Sequence, residues 1–332
     1  MKTYIYPFLL LIALLASCKD DISLPEAGNE AKLVIYCFPS TRDTTYISVS
    51  RSLPVKQYKE GMKIKNIADA RITYTVNGQQ REIVNSGNGI YYVVGKQKTG
   101  DKIALTVSAD SLPTASAETS IPDTIAISDP KSRQTEVYND DWERMQKYEQ
   151  VMATFTDPST TKDYYAVRVL LKNISEQYSY HSDTGYWERY YEQNFYYPII
   201  NTKNEPILVS KTNIDDAFGF SDNYYGGLCI FDDAGISGKH TFHLNVYDDN
   251  DFWDPKNVIK RYERVELLHL TPEYYRFLFS INAEENSDLA QYGLSQLMPT
   301  ATNVNGGLGV VAGWNVSHTA WIRSKIDNDD DE

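Results

Sequence analysis

Most side chains able to do chemistry in this 332-residue chain sit at spacings that defeat it. The imidazoles are His181, His240, His243, His269 and His318. His240 and His243 are three apart, which on a strand sends the two rings to opposite faces and denies them a shared metal. Asp248, Asp249, Asn250, Asp251 and Asp254 gather the hard oxygen donors that calcium takes. The run lacks the Gly and closing Glu of a helix-flanked calcium loop, and a solvated turn between Tyr247 and Trp253 accounts for it. Gly307-Leu308-Gly309 with Gly313 suggests a dinucleotide loop, but such a loop must open a helix that receives the pyrophosphate, and here strands follow. Those glycines are assigned to a sheet bend or a close packing contact. No Gly-x-Ser-x-Gly elbow occurs, and a dispersed Ser-His-Asp set is defined only by geometry. The chain is therefore read without catalytic residues, metal site or cofactor, as a binding protein.

Recognition chemistry is better supplied. Tyr178, Tyr180, Tyr186, Trp187, Tyr190, Tyr191, Phe195, Tyr196 and Tyr197 crowd one short segment. Aromatic rings give large contact area at low entropy cost, so they stack on sugar faces or fill a partner's pocket. Strand alternation buries about half of such a set. Tyr186, Trp187, Tyr190 and Tyr191 are the candidate contacts with a glycan or peptide ligand or a protein partner.

One thiol has a covalent role written into its surroundings. Lys2 is a basic n-region, Phe8 to Leu15 is apolar, and Leu15-Ala16-Ser17 places small residues before Cys18. The apolar stretch falls well short of the roughly 20 residues of a spanning helix. Leu15-Ala16-Ser17-Cys18 resembles a bacterial lipobox, in which the sulfur takes diacylglycerol and cleavage follows immediately before it. Residues 1–17 are then a lipoprotein signal peptide, and the added acyl chains anchor the mature chain stably. Lys19, Asp20 and Asp21 resemble a surface-sorting signal, pointing to the exterior face of an outer membrane. The remaining thiols, Cys37 and Cys229, lie in apolar runs where buried thiols are commoner than a bridge.

These groups need positioning elements, and the composition favours sheet: 26 Tyr and 11 Phe with many Thr and Val. The expected fold is mostly β. A polar tether, 18–30, leads into period-two segments around Lys32–Phe38, Thr44–Ser50, Ala70–Val76, Ile90–Val94 and Ile103–Val107, with turns at Asn77-Gly78 and Gly87-Asn88-Gly89. They predict an immunoglobulin- or transthyretin-like β-sandwich over 31–122. Residues 123–150 read as a polar connection. A larger β-sandwich or barrel-like domain follows over 151–325, with strands at 151–155 and 163–172, a Tyr-rich hairpin over 178–197 turning at Asp183–Gly185, and strands around Ile207, 228–231, 241–247 and 264–270. Thr271 as cap, Pro272, Glu273 and the stripe Tyr274, Leu278, Ile281 predict one C-terminal amphipathic helix. Two strands, 308–314 and 316–323, and a disordered acidic tail, 326–332, close the chain. The net charge of -13 with scattered Lys and Arg argues against a nucleic-acid partner.

The lipobox, Thr119–Pro122, Phe155-Thr156-Asp157-Pro158 before Tyr164-Tyr165, the run Leu267 to Tyr275, and Asn303 to Gly309 together match one pattern. The chain resembles the domain of unknown function 4249 family of bacterial outer-membrane lipoproteins over nearly its whole mature length. Two departures are Met298-Pro299, where Glu-Pro is expected, and Val310-Val311, where an aromatic usually follows Gly309. The resemblance implies a two-domain, mostly β lipoprotein often encoded beside a TonB-dependent transporter. The functional expectation is a surface-exposed accessory of such a transporter, with a glycan-binding lipoprotein as the alternative and a hydrolase behind both.

Overall fold

Period-two alternation from Leu33 onward becomes sheet because each strand buries one face, as Leu33, Ile35 and Cys37 do. The computed structural model describes residues 30–42, 44–54, 62–63, 65–139, 143–158, 160–202, 205–208, 224–225, 227–236, 238–246, 258–285 and 299–324. Cys18, Lys19, Asp20, Asp21, the Asp248–Asp254 run and the acidic tail lie outside them. The chain divides into Met1–Ala31 with Leu53–Lys63, and Lys32–Ser52 with Ile64–Glu332; the described strands and helix all lie in the second unit. Among the described residues no helix is long and apolar enough to cross a membrane.

The first sandwich uses β1 (Leu33–Cys37), β2 (Thr45–Arg51), β3 (Lys65–Asn66), β4 (Arg71–Val76), β5 (Gln79–Gln80), β6 (Ile83–Gly87), β7 (Ile90–Val93), β8 (Lys102–Ser108) and β9 (Ala115–Ser120). Asn77-Gly78 and Asn88-Gly89, all at positive φ, make the β4–β5 and β6–β7 turns that the sequence predicts. One sheet runs β5-β4-β8-β9 and the other β1-β2-β7-β6 with β3 on β2. Their inner faces form a core of Ile35, Ile47, Val49, Tyr74, Leu105 and Val107.

The second region contains β10 (Ile127–Asn139), β11 (Arg144–Thr156), β12 (Tyr164–His181), β13 (Tyr186–Tyr196), β14 (Ile200–Asn201), β15 (Tyr224–Tyr225), β16 (Leu228–Asp232), β17 (Lys239–Val246) and β18 (Val258–Leu270). Then come α1 (Pro272–Glu285), β19 (Leu308–Val311), β20 (Trp314–His318) and β21 (Ile322–Arg323). Sheet β10-β11-β17-β14 packs on β15-β16-β12-β18-β20 around Phe155, Tyr165, Val167, Phe242 and Leu267. Helix α1 covers the opposite face of β12 and β18 through Phe277 and Leu278, which meet Ala166, Leu268 and Leu270.

Four sequence expectations are corrected. Most of 123–150, read as a connection, belongs to the β10–β11 hairpin; its outer half is solvated on both faces and so carries no hydrophobic alternation. Ile207 lies in a turn, where Leu208 N–H donates to Glu205 C=O and the buried Glu205 carboxylate meets His240 Nε2 and His243 N–H. Thr271 begins α1 through its carbonyl, which accepts from Tyr275 N–H, while its buried hydroxyl has no hydrogen-bond partner among the described residues. Finally, the two closing strands read over 308–314 and 316–323 are three, β19 to β21, and β19, placed by the sequence reading within 151–325, runs parallel to β1 of the first sandwich. The glycines there are close-approach residues, since a Cβ on Gly309 would lie 2.1 Å from Ile35 O and one on Gly313 would lie 1.8 Å from Ser120 O.

Candidate functional site

Strand β12 changes partners along its length. Tyr164–Val167 pair with β16, while Leu171–His181 pair with β13, and β18 flanks the other edge as far as Ser175. Past Ser175 the described residues pair β12 with β13 alone, and the hairpin closes where His181 C=O accepts from Gly185 N–H at 2.8 Å, with Gly185 at positive φ. The turn at Asp183–Gly185 is thus where the sequence places it.

Register assigns every aromatic to a face. The rows Lys172–Phe195, Glu176–Tyr191, Tyr178–Arg189 and Tyr180–Trp187 share one face, and Leu171–Tyr196, Gln177–Tyr190, Ser179–Glu188 and His181–Tyr186 share the other. The four candidate contacts therefore divide, Trp187 and Tyr191 on one side, Tyr186 and Tyr190 on the reverse. All four are exposed, Trp187 most, at 65%. Tyr178, Tyr180, Phe195 and Tyr197 are exposed too, whereas Tyr196 packs against the core.

The Trp187 face is the richer one. Its tip is a Tyr180–Trp187 pair with ring centroids 5.1 Å apart. Tyr178 donates its hydroxyl to Glu176, a bond that raises the phenol's pKa. Arg189 sits 5.8 Å over the Tyr191 ring and 3.9 Å from Glu176. Lower down, Lys172 Nζ lies 4.4 Å from the Tyr262 ring and 4.9 Å from the Trp321 ring, and Phe195 is 6.3 Å from Trp321. At the base Arg168 stacks 3.9 Å from Tyr197 and joins the buried Glu266 at 2.8 Å, and Arg264 joins the same carboxylate at 2.6 Å. Burial pushes the Glu266 carboxyl upward, but Arg168 and Arg264 outweigh it and hold the group below its ordinary value.

Sequence reasoning missed Trp321, Tyr262, Lys172 and the Arg168–Glu266–Arg264 network. The parity of Lys172 and Arg189 with Trp187 was a usable signal once the turn was placed; the contribution of β18 and of the segment after β20 was not.

A second constellation gathers oxygens. Carboxylate atoms of Asp157, Asp163 and Asp233 lie within 4.8 Å of one another. Protein donors already occupy them: Tyr165 hydroxyl to Asp157 at 2.7 Å, Thr161 hydroxyl to Asp163 at 2.6 Å, and Asp163 N–H to Asp233 at 2.9 Å. His269 bridges Asp163 and the Asp123 carbonyl, so both ring nitrogens face oxygens. Burial, then the bond to Asp157, raises the Tyr165 phenol. These residues could hold a cation, yet their bonding describes a lock that fixes the two strand ends flanking 157–163. Asn303 is another lock: its amide meets Val311 N–H and C=O, and Glu118 C=O.

A family model described as "Domain of unknown function (DUF4249)" matches residues 19–320. No curated protein matches the chain.

Proposed function

Since the chain belongs to the domain of unknown function 4249 family, we propose that it is an outer-membrane lipoprotein, anchored at Cys18 and displayed on the cell exterior, that works by binding as an accessory of a TonB-dependent transporter. The exposed aromatic face of the β12–β13 ribbon carries the binding half of this reading. Rings that contribute nothing to a core, on a hairpin whose base is held by the buried Val167, Val169 and Leu171 of β12, are suited to contact another molecule. The anchoring half rests on the Leu15–Cys18 motif and on Lys19, Asp20 and Asp21.

A mass spectrum of the mature N-terminus tests the anchor: acylated Cys18 is expected, and a bare or differently placed terminus overturns it. Mild cross-linking on cells tests the role. Wild type should co-purify with a large barrel protein, and Trp187→Ala with Tyr180→Ala should lose it; capture indifferent to both substitutions removes the ribbon from the contact. A glycan ligand is the second reading, favoured by the open Tyr180–Trp187 pair, a shape suited to a sugar face.

A further inference from the structure

The two faces of the ribbon differ in charge as well as in aromatic content. On the Trp187 face the rings of Trp187, Tyr191 and Phe195 recur every four residues along β13, about 13 Å apart at strand rise. Between and beside them stand Arg189 and Lys172. Lys172 has two rings for neighbours and no carboxylate in ion-pair range among the described residues, and Arg189 reaches Glu176 only at 3.9 Å. On the reverse face, the rows beyond Asn173 carry Glu192 and Glu188 and neither Lys nor Arg. A basic strip on a chain of net charge -13 runs against its composition.

We propose that the Trp187 face binds an acidic polysaccharide of uronic-acid type, its sugar rings lying on the aromatic side chains and its carboxylates meeting Arg189 and Lys172. The inference rests on the reading of the ribbon as a contact surface and names the ligand class. The face is open and elongated, so it grips a linear ligand from one side along several residues. Aromatic rings supply contact with the C–H faces of pyranoses, and the interleaved cations select for charge.

Affinity electrophoresis and titration calorimetry on the soluble Cys18→Ala chain test this with polygalacturonate, alginate and hyaluronate. Three controls separate the terms: methyl-esterified polygalacturonate keeps the sugar faces without the charge, polyglutamate keeps the charge without the sugar, and a thymidine oligonucleotide offers rings and phosphates. At least one uronate polymer should bind about tenfold more tightly than any control. Binding should weaken with salt and fall about tenfold in Trp187→Ala and in the Lys172→Gln, Arg189→Gln double variant, at unchanged melting temperature. No retardation by any uronate, or equal binding of the methyl ester, polyglutamate or the oligonucleotide, overturns the proposal. If no uronate binds while cross-linked capture still depends on Trp187, the ligand class is wrong and the binding role stands.

Discussion

Gly309→Ala is the sharpest test of how the end of the chain is built into its beginning. Gly309 has φ +93°, and a Cβ there would lie 2.1 Å from the Ile35 carbonyl oxygen, on the strand it pairs with. The left-handed conformation costs an L-residue about 1–2 kcal/mol. Relief of the contact requires β19 and β1 to part by about 1 Å, since Cβ atoms essentially never approach heavy atoms within 3.0 Å. That separation weakens the Val34–Leu308 to Cys37–Val311 pairing and loosens the fully buried Val310 and Val311, each worth about 1.5–3 kcal/mol if expelled. The sum is about 3–5 kcal/mol, because partial relaxation recovers part of the packing. Gly95→Ala is the matched control: Gly95 has φ +94° with nothing within 4 Å of the added Cβ, so only the backbone cost of about 1–2 kcal/mol applies. At about 2–4 °C per kcal/mol for a chain of this size, thermal denaturation should show a drop of about 6–20 °C for Gly309→Ala against about 2–8 °C for Gly95→Ala, the first about two to three times the second. Equal shifts would refute the argument that β19 is wedged against β1.

Three further outcomes follow from buried polar groups. Glu266→Gln should destabilise by about 2 kcal/mol at neutral pH by leaving Arg168 and Arg264 without their shared carboxylate. Because the folded pKa of Glu266 is lowered, its contribution is full above about pH 4.5 and is lost as pH falls through the folded value, so urea midpoints of wild type and variant should converge in acid. A constant gap down to pH 2 would show that the charge is not the source. Thr271→Val exchanges an unbonded buried hydroxyl for a methyl and should be neutral or stabilising by up to about 1 kcal/mol in chemical denaturation; a loss of more than that would reveal a hydroxyl partner. Cys37 and Cys229 are buried in separate cores, and burial raises the Cys37 thiol. Native Cys18→Ala protein should therefore resist iodoacetamide and take two alkyl groups after unfolding, whereas an intact mass lacking two hydrogens would indicate a bridge.

Inner strands were legible because burying one face writes alternation into the residues: Leu33, Ile35, Cys37 and Tyr165, Val167, Val169 point inward as their spacing says. Helix α1 was legible from Pro272 and Glu273 at its start and the apolar stripe behind them. The outer halves of β10 and β11 were not, because water on both faces leaves no hydrophobic period to read. Nor was the β19–β1 pairing, whose local pattern says strand without saying which strand, and whose partner lies at the far end of the chain. At the candidate face the sequence supplied the rings and the turn. It did not supply Trp321 and Tyr262, which reach Lys172 only through the folding of β18 and the segment after β20. Among the motifs that carried the family resemblance, Asp157, Tyr165 and Asn303 form hydrogen-bonded locks between segments, a role that residue spacing does not display.

The ribbon's own energetics argue that its surface is kept for contact with another molecule. Beyond Ser175 the described residues pair β12 with β13 alone, and two strands by themselves are only marginally stable in water. Tyr178, Tyr180, Trp187 and Tyr191 are more than half exposed there, so they add little to folding while enlarging an apolar surface that raises the hazard of aggregation. The edge strand β13 meets that hazard with Glu188, Arg189 and Glu192, charges that discourage a second strand from pairing along it. With addition to the backbone edge disfavoured, the proposed binding would fall to the side-chain faces. Of these, the one bearing Trp187, Arg189 and Lys172 offers rings and cations together and keeps its acids, Glu176 and Glu266, beside its own arginines.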